Sequence, residues 1–189
     1  MDSLTLIRRL HEHRYCVNRQ LLDAAGMLDV DQLRQSFEIG QGSLWRTLVH
    51  LYGAEYVWLE ALLGNEQAVL PGDRPGDLPG TQRGEGGVGS LAELRSEWES
   101  LEARWDKYLS ELTPERLDEP VYRVSTSSGH GRRIATSRAD VLLHLALHAQ
   151  YTTAQAVNML KRLGVVVLPD VMLITLARKQ HPENRIGPP

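Results

Sequence analysis

His144 and His148 stand four residues apart in RADVLLHLALHAQYTTAQAVNMLKRLG, and His50 lies in an earlier apolar stretch, LWRTLVHLYGAEYVWLEALL. Side chains at i and i+4 share one face of a helix, so the first two imidazoles present neighbouring ring nitrogens. A third imidazole from another helix would complete a facial set of nitrogen ligands, with positions left open for water or substrate. Such a set suits zinc, nickel, iron or manganese, and an ion bound there acts as a Lewis acid on a coordinated water or thiol. Thr152 and Gln155 continue the seam, because steps of three and four residues return to within about 40° of the same face. A lone histidine on an apolar helix is an ordinary satisfied core residue, so the chemistry depends on His50 meeting the other two.

The elements that must position these residues are helical. Residues 138–164 form the helix of the pair, opened by Ser137 and closed by Gly164. Leucines and alanines occupy most of its remaining positions, and a helix apolar on almost every side is expected to be buried. His50 belongs to a helix over 40–64, capped at Gly42-Ser43 and stopped by Gly64, with Gly53 and Ala54 leaving the ring room. Residues 3–26 form a long amphipathic helix with Ser3 as its cap. On it His11 and His13 lie about 200° apart and read as surface or edge histidines. Residues 90–112 form a third long helix with Ser90 and Glu93 in a capping box. Its glutamates and arginines read as a solvated face of i,i+4 pairs.

Between these lie smaller pieces. Residues 29–37 give a short helix or turn, and 114–117 one further turn. Alternation at 121–125 and 132–136 predicts two short strands with His130 at an exposed tip, and a last helix runs from 170 to about 180. The Gly- and Pro-rich stretch 65–89 reads as a long flexible loop, and 181–189 as a disordered tail. The expected fold is all-α: one domain over 1–189, an antiparallel four-helix bundle with a long loop between helices 2 and 3. A short hairpin precedes helix 4, and an extra C-terminal helix follows it.

Composition excludes several partners. With 21 basic against 24 acidic residues the formal charge is −3, and no basic stripe with interleaved aromatics marks a nucleic-acid surface. Cys16 is the only cysteine, which rules out a disulfide framework within the chain and suits the cytoplasm. The N-terminus carries charges every few residues, and no run approaches the ~18 apolar residues of a membrane span. A soluble, unprocessed protein is expected.

GSLWRTLVHLYGAEYVWLEALLG, followed later by DVLLHLALHAQYTTAQAVNMLKRLG, resembles the DinB-like (DinB/YfiT) family over nearly the whole chain. The resemblance implies a divalent metal held by one histidine of helix 2 and two on the last bundle helix. The latter lie in a pattern like N-H-x-x-x-H-R-G-Q, with a further histidine one turn earlier. His50 then matches the helix-2 ligand, His148 the first of the pair, Gln155 the closing glutamine and His144 the extra histidine, while Thr152 stands where the second ligand belongs. Either the site is rebuilt from His50, His144 and His148, shifted along the helix by about 6 Å, or it is weakened or lost. The resemblance also implies a thiol S-transferase-type activity on a small-molecule substrate, with the metal activating a low-molecular-weight thiol such as bacillithiol or mycothiol, or water. Isomerases and hydrolases are among the relatives, and a homodimer through a bundle face is implied. Tyr151 or Thr152 is then placed to orient substrate. Glu55 is a base if it turns inward, but it reads as a surface charge, and Tyr151 as a packing residue. The alternative is a non-catalytic bundle that binds or dimerises, its metal site degraded at Thr152.

Overall fold

Six α-helices and one strand pair make up the described chain: α1 Ser3–Ala25, α2 Val30–Arg34, α3 Leu44–Leu62, α4 Leu91–Ser110, β1 Pro120–Val124, β2 Arg133–Ser137, α5 Arg138–Arg162 and α6 Leu173–Gln180. The computed structural model describes residues 2–71, 87–125 and 131–181. Most of the 65–89 loop, the hairpin tip with His130 and the tail after 181 lie outside the described residues.

Local chemistry sets the helix ends. The Ser43 hydroxyl accepts from Arg46 N at 3.2 Å, and the Ser90 hydroxyl from Glu93 N at 3.2 Å. Ser137 does the same for Asp140 N at 3.1 Å. For α1 the cap is Asp2, whose Oδ1 accepts from Thr5 N at 2.7 Å, so Ser3 is the first helical residue and not the cap. The carboxylate wins because it reaches the same orphan amide while carrying a charge that favours the positive helix end. Gly64 and Gly164 follow α3 and α5 at φ +99° and +83°, a backbone that residues with a Cβ rarely adopt.

Packing closes the four long helices into a ring, α3 against α5 and α4, and α1 against α5 and α4. Its centre is filled by Trp45, Trp98 and Trp105, each at most 1% exposed, among leucines of all four helices. Leu62 O of α3 accepts from Arg138 of α5 at 3.2 Å. Near the far end of the pair, a Cβ at Gly40 would collide with the Gln155 amide, so α3 and α5 run in opposite directions. Arg138 is itself 5% exposed; it also donates to Tyr108 Oη at 2.6 Å and to Glu119 at 2.9 Å, fastening the start of α5 to α4 and to the 3-10 turn Pro114–Asp118.

β1 and β2 pair antiparallel from Pro120↔Ser137 to Val124↔Arg133, and β1 packs on both α3 and α5. Glu66 secures the hairpin to the chain leaving α3: its carbonyl accepts from Val124 N at 3.1 Å, and its carboxylate takes both Arg133 Nε at 2.6 Å and Nη2 at 2.7 Å. No helix among the described residues is long and apolar enough to cross a membrane.

Three expectations are overturned. α5 is not buried all round: Leu143, Leu147 and Tyr151, four residues apart, are 41%, 72% and 70% exposed. Apolar content alone hides that this stripe is left uncovered, Leu143 and Leu147 lining an open cavity shared with α1, and Tyr151 is no packing residue. The charges of α4 pair across helices and not along their own: Arg19 with Glu102 at 2.8 Å, Arg95 with Asp23 at 2.8 Å, and Arg104 with Glu60. Glu102 is only 6% exposed, because the narrow gap to α1 closes over it.

Candidate functional site

α3 and α5 bring His50 and His148 together, with their Nε2 atoms 3.0 Å apart and the ring centroids 4.9 Å apart. Gly53 is buried beside the next turn of α3, which leaves the interface wide enough for two imidazoles. Both rings are half-buried. Burial first, and the neighbouring His50 and His144 second, push the His148 pKa down to about 4. At neutral pH the ring is therefore uncharged and keeps a lone pair, the form that binds metals.

His144 lies one turn earlier on α5 and is exposed, with its ring centroid 5.7 Å from that of His148. Trp58 of α3 meets it edge-on at 5.6 Å. Burial and then the charge of Arg123 lower its pKa too. Among the described residues no group of three or more His, Cys, Asp or Glu side chains is arranged to hold a metal ion, so the pair His50–His148 is the closest approach that the three histidines make. Thr152, one turn beyond His148, is 2% exposed, and Gln155 is half-buried against the Gly40 turn.

Arg123 is the residue that sequence reasoning passed over. Its guanidinium carbon lies 4.6 Å from the centre of the Trp58 ring. A signal was present: Val121 and Arg123 are two apart on a strand and share a face, and Val121 is 4% exposed. A charged residue on the inward face of a strand marks a site or an ion pair.

Glu55 is not a surface charge. It is 1% exposed, accepting from Asn18 Nδ2 at 2.8 Å and from Trp98 Nε1 at 3.0 Å, with Arg14 Nε 3.4 Å away. Arg14 is 3% exposed and stacks 4.9 Å from both Tyr15 and Trp105. His11 is not a surface histidine either; it is 1% exposed, 5.1 Å from Trp105, and burial holds its pKa well below the ordinary value. These residues form a buried cluster on the α1 and α4 side of α3, apart from the histidine pair. A mainly apolar cavity of about 370 Å³ between α1, α5 and residues 171–173 takes Arg14 and Asn18 of this cluster into its lining but neither His50 nor His148.

A family model described as the DinB superfamily matches residues 17–156, from within α1 to the last turns of α5. The chain belongs to the DinB superfamily. The match takes in His50, His144, His148, Thr152 and Gln155, so all five lie within the part of this DinB superfamily member that carries the family pattern. No curated protein matches the chain significantly.

Proposed function

We propose that this DinB superfamily chain is a divalent-metal-dependent enzyme built as an antiparallel four-helix bundle, with His50 and His148 as ligands and His144 as the third. The observation that carries the reading is the 3.0 Å separation of two Nε2 atoms supplied by different helices. Two nitrogens bound about 2.1 Å from one ion at a right angle stand about 3.0 Å apart, so the pair fits two neighbouring ligand positions. The lowered pKa of His148 supports it further, since an imidazole already neutral gives up no proton on binding. A bound zinc, nickel, iron or manganese ion supplies the Lewis acidity that activates a low-molecular-weight thiol or a water. The chain's own part is to hold two rings in register, to exclude water on the side of Thr47 and Thr152, and to leave the His144 side open. A thiol S-transferase-type reaction on a small molecule in the cytoplasm is the activity this serves. Homodimerisation belongs to the same proposal, with Leu147 and Tyr151 as apolar surface for it to cover.

Elemental analysis of protein prepared without chelator tests the metal. Wild type is expected to carry about one divalent ion per chain and His148→Ala far less; equal and negligible metal in both removes the enzyme reading. The second reading, a non-catalytic bundle, is favoured by the same contact seen as a hydrogen bond, one neutral ring donating to the other, and by the buried threonine at position 152. It is upheld if added zinc leaves the imidazole resonances of His50 and His148 unmoved.

A further inference from the structure

Val17 of α1 and Ala146 and Ala149 of α5 line the cavity of about 370 Å³ between those helices. Its edge at residues 170–171 is secured by polar contacts: Gln20 accepts from Asp170 N at 2.9 Å and donates to Asp170 O at 3.3 Å, and Gln150 donates to Val171 O at 3.4 Å. Nothing in α6 is buried. The segment is thus held beside the gap by hydrogen bonds and not by side chains packed into it. Leu147 and Met172 line the cavity yet stay 72% and 56% exposed, apolar surface that a guest of the same character would take out of water.

One part of the wall is different. Arg14 and Asn18 share a face of α1, are 3% and 1% exposed, and both approach Glu55 Oε1, at 3.4 and 2.8 Å. Tyr15 and Trp105 lie against the Arg14 guanidinium. Even so, its three nitrogens make no hydrogen bond among the described residues, and neither does Asn18 Oδ1. Unmet donors and an unmet acceptor therefore sit together, and leaving such groups buried is costly. A hydroxyl accepts one hydrogen bond and donates another, so it answers both. A carboxylate only accepts; it would oppose Asn18 Oδ1 and set a second negative charge beside a guanidinium that Glu55 already matches.

Size limits the guest as well. An apolar cavity of about 150 Å³ takes benzene, so one of 370 Å³ has room for about fifteen non-hydrogen atoms.

We propose that the α1–α5 cavity binds a small uncharged molecule with an apolar body and one hydroxyl. The body lies along Val17, Ala146 and Leu147, and the hydroxyl accepts from Arg14 and donates to Asn18 Oδ1. Both polar ends are covered in the free chain, and a side-chain rotation on binding, a common event at interfaces, uncovers them. The site is independent of how the histidine pair is read.

The probes are 1-octanol, 1-methoxyheptane and octanoate. The ether matches the alcohol in non-hydrogen atoms but cannot donate, and octanoate is charged. Each is titrated into the full chain in chelator, with binding read from amide shifts. Saturable shifts are expected to centre on Val17, Ala146 and Met172. Octanol should bind about tenfold tighter than the ether, the effect of one buried acceptor left unmet, and about tenfold or more tighter than octanoate. Ala146→Phe fills the cavity from α5 and should abolish binding; where near-UV circular dichroism shows that it misfolds, Leu143→Trp, at a more exposed position of the same lining, replaces it. The assignment is overturned by octanol that does not saturate, by shifts centred on His50 and His148, by ether or octanoate binding as tightly as octanol, or by undiminished octanol affinity in the folded variant.

Discussion

Five residues apart on α3, His50 and Glu55 look into two polar regions of opposite character. Glu55 is 1% exposed and meets Arg14, Asn18 and Trp98, each nearly as buried as itself. His50 meets His148 in a half-buried interface whose next turn, at His144, is open. Both interrupt an apolar core, yet the first consists of compensated charge and the second of imidazole nitrogens beside an entrance. Buried, paired charge fixes which helices pack together; nitrogen lone pairs beside an opening can meet something from outside. The guanidinium nitrogens of Arg14 make no hydrogen bond among the described residues, and the pair with Glu55 stands at 3.4 Å. The flat faces of Tyr15 and Trp105 take the place of those bonds.

The contrast can be broken in descending order of effect. Glu55→Leu leaves Arg14 charged and buried, and urea unfolding should show a loss of about 3–5 kcal/mol. Adding Arg14→Leu should recover much of that; no recovery would mean that Glu55 acts alone and not as a partner. Acid should act on the buried region next. The His11 pKa lies well below its ordinary 6.5 in the folded chain, through burial and then Arg14. The unfolded chain therefore binds more protons below about pH 6.5, and stability falls as pH drops through that window. His11→Phe should flatten the fall by up to about 1.4 kcal/mol per pH unit, the slope of one proton, in urea midpoints taken from pH 7.5 to 5.5. The smallest effect belongs to the open region. In metal-free protein His50→Ala removes one imidazole contact and should cost only about 1 kcal/mol in the same assay; a loss as large as that of Glu55→Leu would make the pair a structural element.

Much of the frame is legible in the sequence because it rests on local rules. Ser43, Ser90 and Ser137 cap the helices that their hydroxyls predict, and glycines 64 and 164 follow the ends of α3 and α5. Apolar periodicity does not by itself bring His50 to His148, because α5 reads as apolar on almost every side; the family resemblance is what pairs them. What stays hidden is set by partners distant in the chain. Nothing near Glu55 announces that Asn18, 37 positions earlier, and Trp98, 43 positions later, close over it. A charged side chain in a helix defaults to solvent unless its partners are known, and the same default misplaced His11 and Glu102. Arg123 escaped for another reason: alternation predicts the strand, but which of its faces turns inward is decided by the helices it lands on.

The hairpin has one more consequence. Its anchor is Glu66, which belongs to the stretch after α3 and to neither wall of the histidine interface. Val121 of β1 is nonetheless part of the core, so the strand closes one edge of the α3–α5 pair from an anchor that lies outside it.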